Sequence, residues 1–159
     1  AGLNPGVNYL PFNQGGTSFQ DSSAWMDAGN LHADTDIYAN GNIIAYYSDE
    51  RLKKNFVGIN DALNKVKSLR AVTYYQNELG DKFFGENNER QVGVIAQDIQ
   101  RVLPEAVKPA PFDTSVNENN EKISKSGENY LTVQYEKIVP LLVAAINELT
   151  EEIARLKEK

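Results

Sequence analysis

The spacing of apolar residues changes along this chain, and the first pattern covers residues 1–47. Short apolar stretches such as 43–47 lie between glycine- and asparagine-rich turn signals, which is typical of short strands and loops. The segment is too short and too polar to bury a core by itself. We therefore expect it to stack on copies of itself or to continue a longer fibrous body.

Helical spacing appears twice in the middle of the chain. Residues 60–70 start with an Asn-Asp pair and continue with apolar residues at helical intervals, so we expect a short helix capped at Asp61 or its neighbour. Residues 97–103 suit a second short helix, which Pro104 would end.

Two segments between these helices have the composition of strands. Residues 71–76 and 90–96 are rich in β-branched and aromatic residues, and we expect them to pair through a polar loop that contains Gly80 and Gly85. The polar stretch 109–129, with prolines early and Ser-Gly late, predicts a long loop or a mobile hairpin. The fold class predicted for the chain is α+β.

The segment 136–159 has apolar residues separated by alternating steps of three and four. This spacing defines a heptad seam in one long helix, with Pro140 tolerated in the first turn. The seam consists of Val139, Leu142, Ile146, Leu149, Ile153 and Leu156. Charged residues on the other faces favour self-association, although an amphipathic helix packed on its own domain stays open. Ile at a with Leu at d would favour two strands, so the seam alone does not establish three.

Charge divides the chain at one point. Residues 1–47 contain four aspartates and no lysine, arginine or glutamate, whereas all 16 basic residues lie from Arg51 onward. Such a break usually separates segments with different folding requirements. We place the domain boundary between Tyr47 and Ser48, with a β-rich segment 1–47 before it and a small α+β domain, 48–159, after it.

Composition excludes several kinds of chemistry. The chain has no cysteine and a single histidine, His32, so thiolate metal sites, cysteine catalysis and most histidine-based catalysis are excluded. A formal net charge of -6 without a basic stripe argues against nucleic-acid binding. No apolar run approaches the roughly 20 residues of a membrane span, and the start lacks the basic end of a signal peptide. We expect neither membrane insertion nor secretion, and no bound cofactor or metal.

Ser48 and Lys53 lie at the break in composition. A serine hydroxyl becomes a good nucleophile when a base takes its proton, and a neutral lysine amine can be that base. An ordinary lysine titrates near about 10.4, so burial or neighbouring positive charge must favour the neutral amine. Arg51 and Lys54 could help, whereas the acidic residues between Ser48 and Arg51 would oppose the change if they pointed inward.

Geometry restricts how these two residues could meet. Positions five apart on an α-helix are separated by about 140° and do not face each other, so the pair requires a turn between them. Attack of Ser48 on the carbonyl carbon of Tyr47 would pass through a five-membered ring and leave an ester for water to hydrolyse. Attack on another chain, or a solvated turn without catalysis, is the alternative.

Three motifs give the chain a family resemblance. Ser-Asp-Glu-Arg-Leu-Lys-Lys-Asn at 48–55 closely resembles the opening of the self-cleaving intramolecular chaperone domain of phage tailspikes, endosialidases and tail fibres. Residues 93–105 are similar to the central strand-helix segment of that family, and residues 135–146 to its closing helix. Phe56 stands where the family would have an aliphatic residue, and the polar stretch 111–129 is longer than a minimal member needs.

The resemblance implies a function for each part of the chain. Ser48 would be the nucleophile and Lys53 the base, and the bond between Tyr47 and Ser48 would be cut. The domain 48–159 would bring three chains together, help the fibre segment of the same chain to fold, and then be released. The implied location is the tail fibre or spike of a virion assembled in the bacterial cytoplasm, with a host-surface receptor as a further partner of the fibre part.

Other readings stay open. The chain could be a permanent trimerisation and receptor-binding tip in which Ser48 and Lys53 are surface residues, or a peptidase that acts on other chains. A bound nucleotide that gates release is not excluded. His32 is predicted to be an ordinary surface or fibre-packing residue. Solvation is favoured over cation binding for three aspartates, Asp27, Asp34 and Asp36. Strand packing is favoured over sugar contact for four aromatic residues, Trp25, Tyr38, Tyr46 and Tyr47.

Overall fold

The computed structural model describes residues 48–119 and 121–158 and, before them, the segments 8–9, 12–13, 19–20, 24–27, 30–33, 37 and 40–43. The chain divides into two compact units, Ala1–Lys54 and Asn55–Lys159. The domain boundary that composition predicts, between Tyr47 and Ser48, lies inside the first unit and stays a prediction.

The first unit contains short antiparallel strands, as its turn-rich sequence predicts. They are β1 (Asn8–Tyr9), β2 (Phe12–Asn13), β3 (Phe19–Gln20), β4 (Ala24–Asp27) and β5 (Asn30–Ala33). One sheet has the order β1-β4-β5, and β2 pairs with β3. Of the apolar stretch 43–47, Ile43 is not in a strand, and 44–47 lie outside the described residues.

The second unit is a mixture of helices and two-stranded antiparallel sheets, which confirms the α+β class. Its helices are α1 (Ala62–Lys67), α2 (Glu78–Phe84), α3 (Ala96–Val102) and α4 (Val139–Lys157). Its strands are β6 (Ala71–Tyr74), β7 (Gln91–Val94), β8 (Val107–Pro109), β9 (Thr114–Val116), β10 (Lys122–Ser124) and β11 (Leu131–Val133). The pairs are β6 with β7, β8 with β11 and β9 with β10.

Two small clusters of buried residues hold this unit together. Ile99 on α3 packs with Ala106, Val107 and Ile138, and residues from the β8–β11 pair cover them. Leu141 on α4 packs with Ala62, Ala145 and other residues of α1 and α3. The start of α4 therefore belongs to the core, and Pro140 lies in its first turn as predicted.

The helix predicted within 60–70 is present as α1, but its cap is not the predicted one. Asp61 adopts a left-handed backbone conformation and makes no capping hydrogen bond. Instead, the carboxylate of Glu148 on α4 accepts the backbone N–H groups of Ala62 at 2.9 Å and Leu63 at 2.8 Å. A carboxylate at a helix N-terminus also interacts favourably with the helix dipole, so Glu148 joins α4 to α1.

The loop predicted between the paired strands contains a helix, α2, so that prediction was wrong. Asn77 caps α2 by accepting the N–H of Gly80 at 3.0 Å, and Gly85 ends it with a φ of 80°. The helix is fixed by aromatic packing, because Phe83 and Phe84 lie 5.0 Å and 4.9 Å from the ring of Phe112. This distant contact overrides the low helix propensity of glycine.

The polar stretch 109–129 forms a hairpin, one of the two structures predicted for it. Buried Asp113 organises the hairpin by accepting the hydroxyl of Ser124 at 2.6 Å and the N–H groups of Ser126 at 2.8 Å and Tyr130 at 3.3 Å. The Ser124 hydrogen bond is the main cause that lowers the pKa of Asp113 to about 2. The carboxylate thus holds the turn of the hairpin together by hydrogen bonds.

Leu141 gives a direct test of the α4 packing. Because its side chain is 0% exposed, we expect Leu141→Ala to lower the free energy of unfolding by about 2–5 kcal/mol through lost contacts and the cavity left behind. Chemical denaturation at fixed protein concentration measures the change. The control is Leu79→Ala, since Leu79 is 45% exposed and should change stability by only about 0.5 kcal/mol. Equal effects of the two substitutions would contradict the packing.

The cap formed by Glu148 predicts a pH-dependent stability. The N–H groups of Leu63 and Ala62 hold the pKa of Glu148 below its ordinary value. Its contribution is therefore complete above the pKa of the unfolded chain, about 4.3, and is lost as pH falls through the lower folded-state value. Glu148→Gln should lower the urea midpoint at neutral pH, and the difference from the parent chain should shrink below about pH 4.

The matched control for this experiment is Glu151→Gln on the same helix. Glu151 pairs with Arg155 at 3.5 Å, but both side chains are exposed, and such pairs contribute little to stability. Its urea midpoint should follow that of the parent chain at every pH. A Glu148→Gln deficit that stayed constant down to acid pH would show that the charge of Glu148 does not stabilise α1.

Candidate self-cleavage site

The turn that the Ser48–Lys53 pair requires is present in the first unit. Residues Glu50–Leu52 form one turn of 3₁₀ helix. The N–H of Leu52 donates to the carbonyl of Asp49 at 3.2 Å, and the N–H of Lys53 donates to the carbonyl of Glu50 at 3.0 Å. A 3₁₀ helix completes one turn in three residues, so the residues on either side of Glu50–Leu52 lie near each other.

Ser48 and Lys53 meet across this turn. Lys53 Nζ donates a hydrogen bond to Ser48 Oγ at 3.1 Å, within the range expected for a nucleophile and its base. All residues from 48 to 54 are exposed. In this contact the amine donates a hydrogen bond to the hydroxyl oxygen. Base catalysis requires the opposite, that the hydroxyl proton passes to a neutral amine. The roles of both residues stay predictions.

Asp49 and Arg51 clamp the turn that carries the pair. Asp49 Oδ1 accepts the backbone N–H of Arg51 at 2.9 Å and its Nε at 3.0 Å, and Oδ2 accepts Nη2 at 2.7 Å. The side-chain hydrogen bond from Arg51 is the largest cause that holds the pKa of Asp49 below its ordinary value, and the charge of Lys53 adds to it. The same contact raises the pKa of Arg51.

This clamp was not foreseen from the sequence. Arg51 and Lys54 were expected to favour a neutral lysine, and Asp49 to oppose it if it pointed inward. In the structure the charge of Arg51 is paired with Asp49 instead. Part of the signal was available, since aspartate is a preferred N-cap residue whose carboxylate accepts a backbone N–H of the first turn.

Tyr47 lies outside the described residues, so nothing is added here about the peptide bond between Tyr47 and Ser48. The same holds for Asp34, Asp36, Tyr38 and Tyr46. His32 lies in β5, opposite Trp25 of β4 in the strand register. Among the residues that the structure describes, no group of three potential metal ligands comes together.

Asp98 in the first turn of α3 pairs with two arginines. It is buried, and its carboxylate accepts Arg70 Nε and Arg101 Nη2, both at 2.6 Å. The hydrogen bond from Arg70 is the first of the causes that lower the pKa of Asp98. This ion pair fixes the start of β6 against α3 and is a structural feature of the domain.

The heptad seam of α4 faces away from the core of its own unit. Its six members are 42–70% exposed, with Ile146 at 61% and Leu149 at 43%, whereas Leu141 and Ala145 on the adjacent face are buried. Residues 149–158 are all exposed, so the last two and a half turns or so of the helix contact no core. None of the helices in the described part of the chain combines the length and apolar character needed to cross a membrane.

The comparison with protein families identifies the class to which this arrangement belongs. Residues 48–108, which begin at Ser48 and end in β8, match the peptidase S74 family, described as the chaperone of endosialidase. This segment contains two of the three motifs that carried the resemblance, at 48–55 and 93–105, and its match confirms the resemblance to the chaperone-of-endosialidase family. The family name is that of a peptidase family.

Several curated proteins are similar to this chain. The chain is 31% identical to the long tail fiber protein Gp37 of Enterobacteria phage K3, over 97% of this chain and 12% of that protein. It is 36% identical to Gp37 of Enterobacteria phage Ox2, over 80% of this chain and 47% of the relative. A myelin gene regulatory factor-like protein of Dictyostelium discoideum is 31% identical over 82% of this chain and 13% of its own length. The chain thus spans less than half of each.

Proposed function

We propose that this chain is the end of a phage tail fibre joined to a chaperone that assembles three copies and then detaches itself by cutting between Tyr47 and Ser48. The observation that carries the proposal is the 3.1 Å contact between Lys53 Nζ and Ser48 Oγ, at the first residue of the segment that matches the family. The tail fibre relatives support the attachment to a fibre.

The proposed cleavage has two steps. Ser48 Oγ attacks the carbonyl carbon of Tyr47 while Lys53 takes the hydroxyl proton, and the peptide C–N bond breaks as that proton passes to the departing amine of Ser48. The product is an ester between Tyr47 and the side chain of Ser48. Water then hydrolyses the ester, which leaves a carboxylate on Tyr47 and restores the Ser48 hydroxyl.

This chemistry needs a neutral amine, and in the single chain Lys53 is exposed. Burial disfavours the charged form of lysine, so a change that removes water from the turn would start the reaction. We propose that assembly of three chains supplies this change. Cleavage would then follow correct assembly and not precede it.

The α4 seam supports the assembly step. Apolar stripes left exposed on a helix are typical of surfaces that pack against another chain. In a parallel coiled coil, g and e positions of neighbouring helices face each other. Glu152 at g would then face Lys157 at e of the next helix, which gives the pair opposite charges. The choice of three chains rests on the family resemblance, because the seam is also compatible with two.

Tethering explains why a fibre would carry such a domain. Three strand-rich segments such as 1–47 must find one another in register, at a cost in chain entropy. A helper that already holds three chains raises their effective concentration and lowers that cost. We place the product in the virion tail after assembly in the bacterial cytoplasm, with a host-surface receptor as the partner of the fibre part.

The exposed seam also fits a second candidate, a permanent trimerisation tip that never cleaves. In that case Ser48 and Lys53 would be surface residues, and their contact would have no chemical consequence. The two candidates differ in the mass of the purified chain, and a peptidase acting on other chains would differ from both by cutting an added substrate.

Substitution of each dyad residue tests the cleavage. We expect the denatured parent protein to give two fragments divided between Tyr47 and Ser48, and Ser48→Ala or Lys53→Ala to give one species of 17.7 kDa. Intact-mass spectrometry measures this. The control is Lys54→Ala, which removes an adjacent exposed lysine and should leave cleavage unchanged. A single full-length species in the parent protein would remove self-cleavage and leave the permanent tip.

The seam predicts that assembly and cleavage are linked. Leu149→Asp places a charge on the stripe, so we expect monomers in sedimentation and a loss of cleavage of at least tenfold, because burial of a charge in the seam costs well over about 1.4 kcal/mol. Asn147→Asp adds the same charge on an exposed face outside the stripe and should keep both properties. Monomeric Leu149→Asp that cleaved at the parent rate would sink the linkage.

A further inference from the structure

The carboxylate of Asp49 lies beside the proposed base, and Arg51 occupies it. Both oxygens of Asp49 accept hydrogen bonds from Arg51, one from the backbone and Nε and the other from Nη2. Asp49 and Lys53 are four residues apart and attract each other, yet no ion pair within 4.0 Å joins them in the described residues. Lys53 is bonded to Ser48 instead.

We propose that Arg51 is a positioning residue for self-cleavage, which acts by holding Asp49 away from the Lys53 amine. This inference rests on the proposed function of the dyad. An ammonium paired with a carboxylate is held in its charged form, which cannot act as a base. By taking both oxygens of Asp49, Arg51 leaves the amine directed at Ser48 and free to lose its proton.

The geometry of the Arg51 side chain suits this role. A guanidinium binds a carboxylate with two or more fixed donors, whereas the single ammonium of lysine binds it as a point charge. The bidentate contact of Arg51 therefore competes well against Lys53 for the same partner. The turn has no buried residue to hold it, so local polar contacts alone decide which cation Asp49 binds.

The other charges near the amine do not provide this effect. Glu50 and Lys54 lie in the same segment. Within the part of the chain that the structure describes, the side chains of these two residues form neither an ion pair nor a hydrogen bond. The remaining acidic side chains of this unit are the aspartates of 1–47, at positions 21, 27, 34 and 36. Asp49 is the carboxylate that already interacts with Lys53.

Capping and charge can be separated by substitution. In Arg51→Gln the two guanidinium contacts are lost, while the backbone N–H of residue 51 still caps Oδ1, and Oδ2 of Asp49 becomes available to the Lys53 amine. In Asp49→Asn the side-chain oxygen can still accept the N–H of residue 51, since asparagine is as good a helix cap as aspartate, but the negative charge is gone. The double variant Asp49→Asn with Arg51→Gln keeps this cap and lacks both the guanidinium contacts and the competing carboxylate.

The test is the cleavage rate of freshly synthesised chains across a series of pH values, followed by intact mass. We expect Arg51→Gln to move the rate profile to higher pH and to slow cleavage near neutrality by about tenfold for each pH unit of that shift. The double variant should return the profile close to that of the parent. Lys54→Gln, which removes a positive charge that does not hold Asp49, sets the size of a nonspecific charge effect.

Three results would overturn the inference. Arg51→Gln could slow cleavage by the same factor at every pH, which would mean that Arg51 only stiffens the turn. The double variant could remain as slow as Arg51→Gln, which would mean that Asp49 does not compete for the amine. A shift no larger than that of Lys54→Gln would have the same meaning.

A second measurement separates this inference from the cleavage proposal. In the Ser48→Ala background, acylation of the Lys53 amine by a water-soluble reagent can be followed by peptide mass spectrometry as pH is raised. The amine should become reactive at higher pH in Arg51→Gln than in the parent, and the double variant should reverse the change. If the Ser48-containing chain failed to cleave, the proposed function would fall, and this readout would still decide the role of Arg51.

Discussion

Helix α4 has one face buried in its own unit and another, the heptad stripe, exposed to solvent, and the fold of the domain depends on the buried face. On one side, Leu141 and Ala145 enter the core and Glu148 caps α1, so the helix is fixed to its unit at three successive levels. These contacts use positions 141, 145 and 148, which leaves the heptad stripe on an adjacent face. Had the stripe been needed for the core of a single chain, it could not also be exposed for the assembly that we propose.

The exposed turn at 48–53 shows how little structure a dyad needs. Two residues five apart cannot meet on an α-helix, and one 3₁₀ turn with an aspartate cap is enough to join them. The turn is built from neighbours in sequence, so it can form in a single chain. The hydrogen bond can thus form before assembly, and in our proposal the loss of water from the turn on assembly starts the reaction, so that cleavage reports on assembly.

The sequence predicted those features that depend on near neighbours. Periodicity located α1, α3 and α4, strand composition located the β6–β7 pair, and spacing showed that a turn must join Ser48 to Lys53. It failed where the cause lies far along the chain. The cap of α1 comes from Glu148, 86 residues from Ala62, and α2 forms around glycines because Phe83 and Phe84 pack on Phe112. The Asp49–Arg51 contact is local, and aspartate is a preferred residue at a helix N-cap, so this contact lies within the reach of sequence reasoning.

We propose that Ser48 itself becomes acylated by Tyr47, and chemical trapping of the ester between the two residues tests this proposal. Hydroxylamine added during assembly should convert the ester to a hydroxamate on Tyr47, so the N-terminal fragment would be heavier than the hydrolysed one by the difference between a hydroxamate and a carboxylate. The Ser48→Ala chain should give no such fragment. Hydroxylamine also cleaves Asn–Gly bonds, so a fragment ending at Asn40 carries no information. A Tyr47 hydroxamate formed equally in Ser48→Ala, or cleavage of the parent chain without that hydroxamate, would show that Ser48 is not acylated by Tyr47.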